Sequence, residues 1–129
     1  MPGKRLSRAS ILLCDDVRQE LGGKVSLMGL FREVGLAETP AVLPRFFAVL
    51  FLRGDEGPCH LSLELITPEG ASKSLWSKEV KLRGADSELI EIIGIWNLQL
   101  SEIGSHRIRL NGAEGSVEET TLEVGKASR

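Results

Sequence analysis

Residues 46–66, FFAVLFLRGDEGPCHLSLELI, decide the fold class. The first eight are almost continuously apolar, which is typical of a strand that is buried on both faces. The last eight alternate, so that Leu61, Leu63 and Leu65 share one face of a half-buried strand. Between them, residues 54–58 (GDEGP) have the composition of a tight turn. The segment therefore predicts two strands joined by a turn.

Residues 88–100, ELIEIIGIWNLQL, carry the second strong signal. Several isoleucines are β-branched and a glycine stands in the middle, which favours a strand over a helix. The alternation predicts five apolar side chains on one face: Ile90, Ile92, Trp96, Leu98 and Leu100. Gly94, in their midst, indicates a bulge or a close approach of another group.

Turn signals separate further β-rich runs toward both ends of the chain. Gly22-Gly23 predicts a hairpin after a strand at 9–18, and Asn111-Gly112 predicts one before a strand at 117–124. Residues 35–45 contain two prolines and are expected to form a crossing loop. Short strands with turn signals about every 8–12 residues are typical of a sandwich.

The length of 129 residues fits one domain with one core. We therefore predict an all-β fold, a single-domain antiparallel β-sandwich of about 7–8 strands with an immunoglobulin-like appearance. The domain is expected to span residues 1–129, with tails at 1–8 and 126–129. Lys4, Arg5 and Arg8 give the first tail a basic character.

Charge and aromatic content argue against nucleic acid as a partner. Sixteen Lys and Arg against 18 Asp and Glu leave a net charge of −2, so no general positive field attracts phosphates or acidic membranes. Four Phe, two Trp and no Tyr offer few platforms for stacking bases. No segment approaches the roughly 20 apolar residues of a membrane helix. We expect neither a nucleic-acid nor a membrane partner.

The two cysteines, Cys14 and Cys59, are too few for a disulfide scaffold. The apolar run at residues 11–14 is stopped by Asp15 and Asp16, and it is shorter than the apolar region of an export signal. These features predict reduced thiols and a cytoplasmic location.

The candidate site residues have modest signals. Asp15 and Asp16 could serve a metal or a general base, but adjacent strand residues point to opposite faces. Asp15 shares the parity of Leu13 and could be a buried carboxylate, with Arg18 or Arg32 as its partner. A structural role is favoured for both carboxylates.

Cys59 and His60 could form a thiol and base pair, but they also diverge on a strand, and His106 lies far along the chain. Cys14 and Cys59 with the two histidines lack the paired spacing of a zinc site. Gly22-Gly23 lacks the spacing of a phosphate-binding loop. We therefore predict no catalytic, cofactor-binding or metal-binding residue.

Basic residues near the C-terminal strands could form a patch for an anionic ligand if their strands are neighbours. The set is Lys78, Lys81, Arg83, Arg107 and Arg109, with Glu79, Glu118 and Glu119 interspersed. Because both signs alternate, cross-strand charge pairing is the favoured interpretation.

Two stretches resemble known families. Residues 14–20 (CDDVRQE) and 23–29 (GKVSLMG) resemble the opening of a family of small uncharacterised prokaryotic proteins of unknown function. Residues 101–108 (SEIGSHRI) look like the segment before the terminal hairpin of many immunoglobulin-like sandwiches, although His106 stands where an aromatic is usual. The resemblance implies a β-sandwich and transfers no functional residue.

Three segments are apolar on both parities: residues 24–34, 46–53 and 89–95. Either loops cover the second face or that face meets another chain, since monomers seldom expose apolar patches beyond a few hundred Å². The leading hypothesis is therefore a non-enzymatic interaction or assembly module that binds itself or another protein. The alternative is a ligand-binding or hydrolytic protein with a cleft near Asp15 and Asp16 or near His60 and His106.

Overall fold

The computed structural model describes residues 6–127, which form a curled sheet of seven strands. The strands are β1 (Leu6–Gln19), β2 (Val25–Leu30), β3 (Glu33–Leu36), β4 (Ala41–Ile66), β5 (Ser72–Leu100), β6 (Gly104–Gly112) and β7 (Gly115–Lys126). A short 3₁₀ turn, Leu21–Gly23, joins β1 to β2 in an antiparallel hairpin. This confirms the hairpin that the double glycine predicts.

The long strands β4 and β5 form one antiparallel hairpin that is closed by a turn at residues 67–71. The turn predicted at residues 54–58 is wrong, because β4 continues through it and keeps β5 as its neighbour on both sides. The pairing register shifts there, opposite Gly84. Gly57 (φ 133°) and Gly84 (φ 114°) adopt backbone conformations that bend both strands without reversing them.

The bend divides the sheet into two halves that face each other. Half I has the order β2, β1, β4 (residues 41–53) and β5 (residues 84–100). Half II has the order β5 (residues 72–82), β4 (residues 57–66), β6, β7 and β3. The predicted all-β sandwich is confirmed. One strand pair, β3 with β7, is parallel and is the exception to the antiparallel prediction.

The hydrophobic core lies between the two halves. Half I supplies Ile11, Leu13, Phe46, Ala48, Leu50 and Leu52, and half II supplies Leu61, Leu63, Leu65, Ile108, Leu110 and Leu122. Phe46 packs edge to face against Phe31, with ring centroids 5.7 Å apart. The alternation predicted for Leu61, Leu63 and Leu65 is therefore confirmed.

Strand β5 changes the face that it turns to the core. Ile93 and Ile95 are buried in the core, and after them Leu98 and Leu100 are buried on the opposite parity. The single predicted face that included Ile90, Ile92 and Trp96 is wrong. Asn97 has a positive φ of 54°, which rotates the strand between the two sets.

The strand ends differ from the expected boundaries. β1 begins at Leu6, inside the predicted tail of residues 1–8, and β7 extends to Lys126. The predicted crossing loop at 35–45 is reduced to residues 37–40, because β3 and β4 extend into it. Lys4 and Arg5 lie outside the described residues.

Candidate functional site

The outer face of half I, which points away from the core, is lined with apolar side chains; we call it the apolar face. Cross-strand pairing arranges it in rows: Ser10, Phe51 and Ile90; Leu12, Val49 and Ile92; Leu30, Cys14, Phe47 and Gly94; and Met28, Asp16, Arg45 and Trp96. Directly opposed residues share a face of a sheet, so each row lies on one side. Only the last row carries charges.

Burial confirms the orientation of these rows. Cys14 and Val49 are fully buried, yet they do not belong to the core cluster between the halves. Because their side chains point outward, larger neighbours on the apolar face must cover them. Trp96, Leu30 and Met28 remain 61%, 59% and 42% exposed. The apolar face is therefore partly packed within itself and partly open.

Arg45 anchors the charged end of the apolar face. Its guanidinium carbon lies 5.4 Å from the ring centre of Phe47 and 5.9 Å from that of Trp96, within cation–π range. The Asp16 carboxylate lies 3.9 Å from the Arg45 guanidinium and accepts a 2.9 Å hydrogen bond from the Val17 amide. No local sequence pattern distinguishes Arg45, because only the strand register places its guanidinium near both aromatic rings.

Gly94 provides the close approach that the sequence predicts. A Cβ atom at this position would lie 3.2 Å from Trp96 Nε1 and 3.4 Å from Phe47 Cε2. The two rings pack edge to face, with centroids 6.5 Å apart, above the bare backbone of β5. The absence of a side chain at Gly94 therefore lets both aromatics settle on the apolar face.

Burial raises the pKa of the Cys14 thiol, and the charges of Asp15 and Asp16 raise it further. Hydrogen bonds with the backbone of Asp16 and Met28 act in the opposite direction but are outweighed. The thiol therefore stays protonated at neutral pH, whereas nucleophilic attack requires the thiolate. Its environment fits a small apolar group of the face.

Asp16 lies at the charged end of the apolar face, whereas the adjacent Asp15 points to the other side of the sheet. Asp15 is exposed, and its side chain occupies the space that a side chain at Gly29 would need. The prediction of a buried Asp15 paired with Arg18 or Arg32 is wrong, because the carboxylate is exposed and packs over Gly29 of β2. Asp16, its neighbour, pairs with Arg45.

The two histidines lie on opposite sides of half II. His60 is exposed, with Nε2 lying 3.0 Å from Ser77 Oγ. His106 is 1% exposed, and its Nδ1 lies 3.2 Å from the Gly104 carbonyl oxygen. The alternative cleft would need these histidines, or the two aspartates, to converge, and neither pair does. Among the described residues, no group of three or more His, Cys, Asp or Glu side chains could hold a metal ion.

The outer face of half II is polar; we call it the polar face. It carries His60, Ser62, Glu64, Ser77, Arg109, Asn111 and Glu119. Arg109 lies 3.9 Å from the Glu64 carboxylate and 3.7 Å from that of Glu119, which also pairs with Arg107 at 3.4 Å. This confirms the predicted cross-strand charge pairing for the two arginines.

Lys78 points inward and bonds Glu91 at 2.8 Å, across the open side of the sandwich. An open groove of about 490 Å³ lies beside this ion pair along β5. Three cations and three carboxylates line it: Lys78, Lys81, Arg83, Glu56, Glu79 and Glu91. The groove thus has no net charge to select an anionic ligand.

Fold and site together define an all-β sandwich with one apolar and one polar outer face. A model of a family of unknown function, DUF6941, matches residues 9–125, and the chain belongs to this family. No curated protein matches the sequence. The description of the family names no activity.

Among solved structures, a β-glucosidase shares the fold at low identity. A β-glucosidase from Listeria innocua, in complex with isofagomine, aligns with a TM-score of 0.55 and 13% identity over 99% of this chain and 18% of the enzyme chain. An immunoglobulin-like protein from Pseudomonas aeruginosa aligns with a TM-score of 0.36 and 15% identity over 92% of this chain and 97% of that one. The chain therefore spans less than a fifth of the β-glucosidase. The likeness to the enzyme concerns the fold alone.

No helix within residues 6–127 has the length and apolar character needed to cross a membrane.

Proposed function

We propose that the chain is a non-enzymatic assembly module that binds a second copy of itself through the apolar face. The observation that carries this proposal is the set of apolar rows on the outer side of half I, with Trp96, Leu30 and Met28 open to solvent. Trp and Arg are enriched among the residues that dominate binding energy, and Trp96 and Arg45 lie side by side here.

The size of the apolar face suits a dimer contact. Strands about 4.8 Å apart and two-residue rows about 6.8 Å apart give the fourteen positions of the four rows an area of roughly 450 Å². That value lies within the range of the apolar patches that monomers expose, about 300–600 Å². A standard interface buries roughly 800 Å² on each partner, so surrounding residues would supply the rim.

The charge of the apolar face supports a second copy as its occupant. Within the four rows there is one carboxylate, Asp16, and one guanidinium, Arg45. Their charges cancel, so two copies of the face can meet without net repulsion. A strongly basic or acidic partner would gain little from such a surface.

The test is the solution mass by light scattering after size exclusion, across a concentration series. Replacing Met28 and Leu30 together with lysine adds two positive charges to the face on the short edge strand β2, where both side chains are exposed. We expect the native protein to be at least dimeric and this double variant to lose the face contact.

The matched control is V117K combined with L21K, which adds the same charges at exposed apolar positions outside the apolar face. We expect the control to keep the native mass. A native protein that is monomeric at every concentration, or a control that dissociates as readily as M28K/L30K, contradicts the proposal. Binding of a different protein to monomeric native chain would also replace the second copy as the occupant.

A cytoplasmic location in a prokaryotic cell belongs to the same proposal. The support is compositional: the chain has two cysteines, Cys14 and Cys59, too few for the disulfide scaffold of a small secreted domain. Fractionation of a prokaryotic cell that expresses the chain tests this, and recovery from the periplasm or medium would contradict it.

A further inference from the structure

Strand β5 has one free backbone edge, because β4 is its sole partner among the described strands. The first part of this edge, residues 72–83, carries four basic side chains: Lys73, Lys78, Lys81 and Arg83. Residues 84–100 contain no lysine, arginine or proline. Edge strands are normally protected by such residues, since an unprotected edge pairs with other chains. The second part of the β5 edge lacks this protection.

The acidic side chains within residues 84–100 leave the centre of this segment apolar. Glu91 is turned inward, its side chain is 16% exposed, and Lys78 neutralises it at 2.8 Å. Glu88 and Asp86 lie at the beginning, where the Glu88 carboxylate is 4.0 Å from the Arg53 guanidinium. Residues 89–95, LIEIIGI, therefore present an apolar strand whose N–H and C=O groups on the free edge have no strand partner within residues 6–127.

We infer that this free edge of β5 pairs antiparallel with the same edge of a second copy, about a twofold axis at Ile92. Ile92 is the middle residue of the unprotected segment 89–95. In this register Ile90 lies opposite Gly94 of the partner subunit, so its side chain meets the aromatic rings that pack above that glycine. Glu88 lies opposite Trp96 of the partner subunit.

Charge also favours this register. Glu91 lies opposite Ile93 of the partner subunit, and Asp86 lies opposite Leu98 of the partner subunit, so no two carboxylates are directly opposed. A register centred one residue earlier would bring the two copies of Glu91 directly together, which destabilises a sheet. Pairing about Ile92 is therefore compatible with the sequence of both strands.

Edge pairing and face pairing are independent contacts. The edge contact joins two copies of half I into one continuous eight-stranded sheet and leaves the apolar face of each copy open on the same side. The face contact then stacks such sheets. Together they form a tetramer, and either contact alone forms a dimer.

Disulfide trapping tests the register. In I92C, the two new thiols face each other across the twofold axis, where directly opposed Cβ atoms are about 4.5–5.5 Å apart, and small backbone adjustments allow a bond. In the control I90C, the same atoms of the two copies are separated by four residues along the strand, roughly 14 Å. We expect mild oxidation to trap I92C as a covalent dimer roughly ten times faster than I90C. The native chain, oxidised in parallel, is the blank for Cys14 and Cys59.

Equal trapping of the two variants, or no trapping of a folded I92C, would overturn the inference. Thermal unfolding first shows that both variants are folded. As a second measurement, hydrogen exchange of the amides of residues 88–96 in the native protein should be slow at every position, since a free edge would leave alternate amides fast. Repeating the trapping in M28K/L30K separates the proposals: a persistent I92C dimer there means that the edge contact stands without the face contact.

Discussion

The apolar face and the polar face are built on the same hairpin, β4 and β5, yet their chemistry is opposite. On half II, the outward residues of β4 and its neighbours include His60, Ser62, Glu64 and Arg109, with His60 beside Ser77 and Arg109 beside Glu64. On half I, the outward residues of β4 between Arg45 and Arg53 are Phe47, Val49 and Phe51. The polar face has the alternation of a sheet that ends in water, whereas the apolar face has the composition of a sheet covered on both sides.

The difference shows that the residue pattern of a strand indicates the environment of each of its two faces separately. Residues 46–53 and 59–66 both supply the core with one face. Only their second faces differ, and that difference is encoded in the sequence as a continuous apolar run against a strict alternation. A surface for protein contact can thus be located before any partner is known.

The sharpest test of the comparison is a pair of adjacent phenylalanines on β4. Phe46 is buried in the core against Phe31, and Phe47 lies on the apolar face against Trp96. We expect F46A to lower the free energy of unfolding by about 3–5 kcal/mol. F47A should cost roughly 1–2 kcal/mol in the monomer, because its ring is only partly buried and loses one aromatic contact.

Urea unfolding at low and high protein concentration measures both effects. The decrease in the free energy of unfolding should be the same at the two concentrations for F46A. For F47A the decrease should be larger at the higher concentration, because this variant also removes the face contact. If F47A lowers the free energy of unfolding as much as F46A does, independently of concentration, then Phe47 lies in the core and not on a contact face.

A smaller effect is expected on the polar face. Replacing Glu119 with glutamine removes its ion pairs with Arg107 and Arg109, whose side chains remain 45% and 27% exposed. Exposed pairs of this kind contribute roughly 0.2–1 kcal/mol, so E119Q should stay within that range and should not change the solution mass. Dissociation of the assembly by E119Q would mean that the contact involves the polar face and not the apolar face.

The smallest effect is confined to alkaline pH. Because burial raises the pKa of Cys14 in the folded state, the unfolded chain releases this proton first as pH rises. The contribution of Cys14 to stability is therefore complete below the unfolded pKa and is lost as pH rises from there through the folded pKa. The free energy of unfolding of the native protein should fall more steeply with pH than that of C14A in this range. Parallel pH profiles for the two proteins would mean that the thiol is not desolvated on the apolar face.

Local sequence patterns predict the hairpins, the buried run at 46–53 and the alternation at 59–66, because adjacent residues determine these features. They also predict that three segments have a second apolar face. They do not predict that residues 25–30, 46–53 and 89–95 all lie in half I, since that depends on β1 pairing with both β2 and β4. Register between distant segments is not present in any short window of sequence.

Some sequence-based predictions were wrong because the deciding feature lies outside the local residue pattern. Gly54 to Pro58 has turn composition, but the same glycines permit a bend when a neighbouring strand continues beside them, as β5 does. Asn97 shifts the inward parity of β5, which alternation alone cannot reveal. His106 was a candidate for the alternative cleft and is instead packed among core side chains, because its position on β6 points inward beside Ile108 and Leu110.

The most direct test of the central claim, that the apolar face is buried against a second copy, is the accessibility of Trp96. In W76F, Trp96 is the single tryptophan, and it is 61% exposed in the isolated chain. Its fluorescence is measured with an acrylamide quencher during serial dilution, beside the same measurement in W76F combined with M28K/L30K. We expect W76F to be poorly quenched at high concentration and strongly quenched on dilution, and the lysine variant to be strongly quenched throughout. Strong quenching of W76F at every concentration would contradict the claim.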